Sequence, residues 1–405
     1  MFSVVIPTRN RSDLLNFALA SVVAQNCNEL EIIVSDNSTV AAEIEAGRAL
    51  GERFAHDARI RFVRPPVPLG MPDHWEFATS HATGDYLLIL TDRFVMRPDA
   101  LRIIGQAIAN DTAGPPEIIC WHTEAGLAAD GTFFERPYGG AIRTRSTREV
   151  LVEFAACGQW RSTLLGTNSL PRGLNSAVRR ELVERSRRRH GRFYAPLAPD
   201  YTSAFHQLVA ADRMVEIDFP LYAGHGSRSN GASVMRNGVA TYTDQFGVDT
   251  FAGCLVPIDT VINTTIRDYL WVAETTGAQV PPIDPVGYLL LNYRELQVKR
   301  ELGSPLAIGS MKRALLASAE GLPAADRDRF AIGRAEIDGR ETVAFRARNL
   351  LERYGLLAPA KRLVARYRWR RAEADRRYDD VLEAVNAVPL NFPVAGALGP
   401  SLGQA

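Results

Sequence analysis

The chain opens with FSVVIPTRNRSDLLNFALASVVAQ, residues Phe2 to Gln25, and this stretch indicates the fold class. Its first part is a short apolar run rich in β-branched residues that stops at Pro7, which is typical of a buried strand. From Ser12 onward, apolar residues recur at helical spacing, and Ser12 is a suitable N-cap. The stretch therefore predicts a strand followed by a helix.

The same alternation continues to about residue 123. Strand-like runs are LEIIVSDNS, IRFVRPP, DYLLIL and EIICWHT, and the helix-like segments are AAEIEAGRALGERFA, MPDHWEFATSHAT and PDALRIIGQAIA. Regular alternation of this kind predicts an α/β fold, with a mostly parallel sheet covered by helices on both faces. Ligands of such sheets bind outside the carboxyl ends of the strands, so the polar residues after each strand are the candidates for function.

The pattern changes twice along the chain. It weakens into a hairpin-like stretch from about residue 126 to 145, after which helical and strand-like segments return. Beyond residue 247 the segments are long and favour helices. We therefore predict a first domain at 1–246, with halves of about 1–125 and 126–246, a mostly helical C-terminal region at 247–390, and a flexible tail at 391–405.

Composition and motifs exclude several classes. A formal net charge of +1 gives no overall field that would recruit nucleic acid, and the arginine-rich RRELVERSRRRHGR is mixed with acids. Neither GxGxxG nor GxxxxGK[ST] follows the first strand, so a dinucleotide-binding Rossmann unit and a P-loop are not expected. Four cysteines without CxxC spacing indicate neither zinc nor disulfides.

The chain is expected to be cytoplasmic. No signal peptide is expected from MFSVVIPTRN, whose short apolar run follows no basic leader, and the sequence has no apolar stretch of about 20 residues. YGLLAPAKRLVARYRWRR combines apolar and basic residues, so the inner face of the membrane is a second expected location; packing on the first domain or on another subunit is the commoner role of such a segment.

Three blocks carry a family resemblance. VVIPTRNR, EIIVSDNS and GDYLLILTDRFVMRPDAL resemble the N-terminal half of family 2 glycosyltransferases, which have the GT-A fold, and the likeness extends over about residues 2–230. It implies an enzyme of the hexosyltransferase type that moves a sugar, with inversion, from a nucleotide-diphosphate donor, expected to be a UDP-sugar. It also implies a saccharide or lipid-linked saccharide acceptor and a role in cell-surface polysaccharide biosynthesis. The alternative is a catalytically weakened GT-A protein that binds nucleotide sugars or acts in assembly.

The resemblance also assigns the donor site. It implies that the nucleotide sugar is bound by Pro7, Thr8, Arg9, Asp36, Arg64, Gly70, Asp92 and Arg93. A carboxylate such as Asp36 can accept the N–H of a uracil. The sequence leaves open a second interpretation, in which Asp36 forms an Asx turn before the next helix.

Arg93 departs from the family pattern. Relatives bind Mg²⁺ or Mn²⁺ through an acid at this position, and arginine cannot coordinate a cation. One interpretation is that the Arg93 guanidinium binds the diphosphate without metal. The others are a decayed site, or a surface pair formed by Asp92 and Arg93.

The acceptor side is assigned from GLNSAVRREL, APDYTSAF and PLYAGHGSRSNGAS. The resemblance implies that Asp200 is the catalytic base, a role compatible with its capping a helix. Further candidates for an acceptor or phosphate loop are Asp73, Trp75, Asn175, His225, Ser227 and Asn230. Asp92 and His225 are the candidate metal ligands; helix capping by Asp73, core packing by Trp75 and an unspecialised His225 are the alternatives.

Overall fold

The structure is a computed structural model of the 405-residue chain. It describes residues 1–123, 125–135, 138–161, 170–195, 197–225, 230–240, 249–353, 356, 376–388 and 390. The predicted boundary at 246/247 and the predicted tail at 391–405 lie outside these residues, as does most of the segment considered for membrane contact.

Twelve strands lie within the described part of the chain. They are β1 Phe2–Thr8, β2 Leu30–Asp36, β3 Ile60–Val63, β4 Tyr86–Ile89, β5 Phe94–Met96, β6 Ile118–Trp121, β7 Ala125–Leu127, β8 Phe133–Glu135, β9 Ile142–Ser146, β10 Ser176–Arg179, β11 Arg213–Ile217 and β12 Tyr222–His225. The predicted strands of the first half are all present. The sequence analysis missed β5 and β10, which have only three and four residues.

The larger sheet has eight strands in the order β3-β2-β1-β4-β10-β6-β11-β9. Strands β3, β2, β1 and β4 are parallel, so their carboxyl ends meet at one edge. β10 is antiparallel to β4 and β6, and β9 is antiparallel to β11. The sheet is thus mostly parallel, which confirms the predicted fold class.

The smaller sheet has the order β5-β12-β7-β8 and continues from the end of β4. Two glycines allow its strands to pack closely. A Cβ on Gly126 would lie 2.5 Å from the carbonyl oxygen of Gly224, and a Cβ on Gly224 would lie 2.9 Å from the Phe94 ring. Larger residues at either position would separate the strands that form one wall of the site described below.

Among the residues described up to 237, eight α-helices accompany these strands. They are α1 Ser12–Val23, α2 Ala41–Arg53, α3 Met71–Ser80, α4 Ala100–Ala109, α5 Thr147–Ala155, α6 Arg180–His190, α7 Pro199–Ala210 and α8 Asn230–Asn237. α1 and α4 pack on one face of the large sheet, whereas α3, α5, α6 and α7 pack on the other. The expected cap at Ser12 is wrong, because Ser12 is the first helical residue and Arg11 occupies the N-cap position.

The predicted helical C-terminal region is confirmed. It contains α9 Val261–Thr276, α10 Pro285–Glu301, α11 Ile308–Glu320, α12 Ala324–Arg353 and α13 Val381–Ala387. Tyr269 of α9 and Leu289 of α10 belong to the same buried cluster as Phe205 of α7, so these helices share a core with the sheet. In the described part of the chain, no helix has the length and apolar character needed to cross a membrane.

The last described segment returns to the N-terminal half. Val381 and Val385 of α13 are fully buried against Val95 of β5. At the end of this helix, the carbonyl oxygen of Val388 accepts a hydrogen bond from Arg97, which is itself fully buried and paired with Glu135. One face of the small sheet is therefore covered by residues near the other end of the chain.

Candidate active site

A cavity of about 720 Å³ lies at the carboxyl edge of the large sheet. Its floor is formed by the ends of β1 and β4, and its walls come from α3, the small sheet, the start of α7, α8 and the first turn of α9. Seven of the predicted site residues line it, namely Pro7, Thr8, Arg9, Trp75, Asp92, Arg93 and Asp200. This is the position at which parallel α/β sheets bind ligands.

Asp92 lies on the cavity floor just beyond β4. Its carboxylate accepts a hydrogen bond from Thr8 Oγ1 at 2.9 Å and faces Arg11 Nη1 at 3.4 Å. Burial raises the pKa of Asp92, and the nearby Arg11 opposes that shift. Both oxygens of Asp92 therefore already face donors that belong to the protein.

Asp36 and Arg64 form one unit beside the cavity. Asp36 Oδ1 accepts the backbone N–H of Ser38 at 2.8 Å, which is the Asx turn considered from the sequence. Asp36 Oδ2 pairs with Arg64 Nη1 at 3.0 Å. Neither residue lines the cavity, whereas the adjacent Asn37 does.

Arg93 follows Asp92 and extends into the cavity. Its guanidinium lies 4.3 Å from the centre of the Phe94 ring, and among the described residues no carboxylate is within 4.0 Å of it. Burial lowers the pKa of Arg93 to about 10, with further lowering by the cations of Arg172 and Arg11. The cavity thus contains a partly buried positive charge that has no carboxylate of the described residues within ion-pair distance.

Asp200 faces the same space from the start of α7. Burial raises its pKa, while the guanidinium of Arg172 opposes the shift, followed by two backbone N–H groups and Arg93. Arg172 donates a hydrogen bond to Thr123 Oγ1 at 3.0 Å and lies over the Tyr201 ring. An acid and two guanidinium groups therefore meet at this end of the cavity.

A second carboxylate supports this helix start. Asp268 of α9 is fully buried, and its Oδ2 accepts the backbone N–H of Ala198 at 3.1 Å. Burial raises the pKa of Asp268 well above its ordinary value, and the nearby Asp200 adds to the shift. Asp268 thus fixes the loop that leads into Asp200.

The far wall is held by one buried ion pair on α10. Lys299 and Glu295 have side chains that are 0% and 1% exposed, and Lys299 Nζ lies 3.5 Å from Glu295 Oε1. Lys299 donates to the carbonyl oxygen of Met235 at 2.9 Å, and Glu295 accepts the backbone N–H groups of Val261 and Ile262. Both Met235 and Val261 line the cavity, so the pair fixes the end of α8 against the start of α9.

The other predicted residues lie elsewhere. Asp73 is exposed and pairs with Arg192. Trp75, which does line the cavity, is buried with its ring edge-on to that of Tyr194 at 5.5 Å. Asn175 is buried and donates to the carbonyl oxygens of Trp121 and Leu170. Gly70, at the N-cap position of α3, accepts the N–H of His74 through its carbonyl oxygen.

The predicted acceptor or phosphate loop around His225 is described only in part. The ring of His225 lies 5.8 Å from that of Phe17, and its backbone N–H donates to the carbonyl oxygen of Arg93. The close approach permitted by Gly224 serves the Phe94 ring rather than a phosphate. Ser227 lies outside the described residues, and Asn230 is described only as the first residue of α8.

The first part of the chain is similar to a known protein family. Residues 3–115 match the model of the family described as Glycosyl transferase family 2. This N-terminal segment is therefore similar to family 2 glycosyltransferases. No curated protein sequence matches the chain.

Several solved structures are similar to this chain. S. aureus TarS 1-349 in complex with UDP-GlcNAc is 12% identical, with 83% of this chain and 80% of that chain covered and a TM-score of 0.45. The same TarS fragment in complex with UDP is 15% identical, with 80% of this chain and 92% of that chain covered and a TM-score of 0.46. Mannosyltransferase PcManGT from Pyrobaculum calidifontis in complex with GDP-Man and Mn²⁺ is 17% identical, with 87% of each chain covered and a TM-score of 0.41.

Three residues in or beside the cavity are not among the candidates taken from the sequence, namely Arg11, Arg172 and Asp268. Arg11 follows the first strand, so the strand-end rule could have found it. No local pattern reports that Arg172 and Asp268 converge on Asp200, because their contacts join segments distant in the chain.

Proposed function

We propose that this chain is a family 2 glycosyltransferase that uses a nucleotide-diphosphate sugar, expected to be a UDP-sugar, and transfers its sugar with inversion to a saccharide or lipid-linked saccharide. The observation that carries the proposal is the placement of Asp200. Its carboxylate lies at the start of α7 and faces the cavity together with Arg93, which follows the strand-end residue Asp92. A base and a donor-binding strand end thus share one enclosed space.

The chemistry assigns one role to each side. An acceptor hydroxyl oxygen attacks the anomeric carbon, and the bond from that carbon to the diphosphate oxygen breaks with its electron pair leaving on the diphosphate. Asp200 takes the proton of the hydroxyl as the new bond forms. Burial raises the pKa of Asp200, which brings its basicity closer to that needed near neutral pH.

The nucleoside is proposed to lie along Pro7, Thr8 and Arg9, toward Asn37 and α3. Met71, His74 and Trp75 of α3 give this end an aromatic and apolar wall. His74 is hydrogen-bonded to Ser35, and burial lowers its pKa to about 4, so it is neutral near pH 7. A neutral, partly apolar wall suits the flat face of a base.

The test uses Asp200→Asn, with Asp212→Asn as the matched control because Asp212 is an exposed aspartate just beyond α7. Hydrolysis of UDP-glucose, UDP-GlcNAc and GDP-mannose is measured for each protein. Binding of UDP and GDP is measured separately by calorimetry. We expect Asp200→Asn to lower turnover by about 10²- to 10⁴-fold while UDP still binds. Near-normal turnover of this variant would refute the assigned base, and failure of every nucleotide to bind the parent protein would refute the donor class.

A further inference from the structure

Arginine stands where the family resemblance implies a metal ligand, and the surrounding groups do not fit a divalent cation. Mg²⁺ and Mn²⁺ take about six oxygen ligands, mainly carboxylates and waters. Here the carboxylates nearest the centre are Asp92, which faces Thr8 and Arg11, and Asp200, which lies close to Arg172. Among the described residues, no group of three or more histidines, cysteines or acids is placed to hold a metal ion.

The same groups suit an anion. Guanidinium groups of Arg93 and Arg172 line the cavity on the side of Asp200, and Arg11 lines it beside Asp92. Guanidinium binds phosphate oxygens through paired, charge-assisted hydrogen bonds. Arg11 already faces Asp92, so the positive charge offered to a diphosphate in this partly enclosed space comes mainly from Arg93 and Arg172.

We infer that Arg93 and Arg172 bind the donor diphosphate directly and stabilise it as the leaving group, in the position where the family resemblance implies a cation. This inference rests on the proposed function and names the ligand contacts of its donor site. When the bond between sugar and diphosphate breaks, the electron pair adds negative charge to the terminal phosphate. Arg93 and Arg172 donate hydrogen bonds to that charge and keep their own protons, so no further reactant is needed.

Arg93 is the sharper of the two positions. Its ring contact with Phe94 fixes the side chain without neutralising it, because a cation over an aromatic face keeps its full charge. A pKa near 10 still leaves the group charged at neutral pH. Bound diphosphate would supply the counter-charge that the described residues do not place within ion-pair distance.

The experiment compares UDP with UMP, which lacks the terminal phosphate. Dissociation constants are measured by calorimetry in EDTA and again in Mn²⁺, for the parent protein, Arg93→Met, Arg172→Met and the exposed control Arg313→Met. The parent is expected to bind UDP in EDTA and to prefer it to UMP. Arg93→Met should weaken UDP binding by about 10- to 100-fold, with UMP binding changed much less.

A second variant separates the effect of the positive charge from that of the guanidinium geometry. Arg93→Lys keeps a positive charge but loses the paired geometry, so its UDP affinity should lie between those of the parent and Arg93→Met. An unchanged preference for UDP in Arg93→Met would overturn the inference. So would UDP binding by the parent that requires Mn²⁺, and in that case the proposed glycosyl transfer would stand. Absence of binding by UDP and GDP under both conditions would instead overturn the proposed function itself.

Discussion

Replacement of Lys299 by methionine is expected to destabilise the protein strongly. The change keeps the length of the side chain and removes a charge that is 0% exposed. It leaves the Glu295 carboxylate buried without its cation, and it leaves the carbonyl oxygen of Met235 without its donor. Breaking a buried pair by removing one partner costs about 3–5 kcal/mol.

The structure indicates the lower end of that range. Glu295 keeps two backbone N–H donors, from Val261 at 2.7 Å and Ile262 at 3.0 Å, so its charge remains partly compensated. We therefore expect a loss of about 3 kcal/mol, which corresponds to a fall in melting temperature of roughly 3–4 °C for a chain of 405 residues. Adding Glu295→Gln removes the uncompensated charge, and the double variant should be more stable than Lys299→Met alone.

Thermal unfolding followed by circular dichroism measures these differences. The control is Arg300→Met, since Arg300 is the next residue of α10 and its side chain is exposed. Its melting temperature should change by no more than about 1 °C, because exposed charges contribute little. If Lys299→Met melts with the control, or if the double variant is the least stable of the set, the assigned role of the buried pair is wrong.

Two other predictions concern the site and the C-terminal segment. Because burial raises the pKa of Asp200 and the base must be deprotonated, kcat/KM should fall as pH decreases, with a midpoint above the ordinary value of 3.8. Arg172→Met removes the opposing cation, so the midpoint should move to higher pH when kcat/KM is measured over a series of pH values. A shift to lower pH would contradict the electrostatic assignment. A chain that ends before residue 376 should expose Val95 and lose the burial of Val381 and Val385, each worth about 1.5–3 kcal/mol. The shortened chain should bind more of a hydrophobic dye and melt at a lower temperature than a control chain that ends at residue 390. Equal dye binding and equal melting temperatures of the two chains would refute the packing role.

The sequence predicted the regular part of the fold because that part is specified locally. An apolar run such as Phe2–Pro7 and the helix after it report their own structure through spacing, whatever they later contact. β10 escaped because four residues carry little periodicity, and its antiparallel place between β4 and β6 depends on strands more than 50 residues away. The sequence also allowed two roles for Asp36, and the structure has the Asx turn and a pair with Arg64.

The site was predictable to the extent that it follows strand ends. Asp92 and Arg93 could be singled out because the ends of parallel strands converge. Arg172 could not, since it belongs to no strand end or motif, and only the fold brings its guanidinium close to Asp200. The wall made by Met235 and Val261 was also hidden, because a buried lysine on α10 cannot be recognised from composition.

The packing of α13 against the small sheet has a consequence for synthesis on the ribosome. Strand β5 emerges early, yet the buried face around Val95 is completed only by residues near 381–388. Arg97 likewise waits for the carbonyl oxygen of Val388, nearly 300 positions later. Until then the nascent chain presents an uncovered apolar face, the kind of surface that chaperones bind and that promotes aggregation. The small sheet beside the cavity therefore finishes folding only after residues 381–388 have been synthesised.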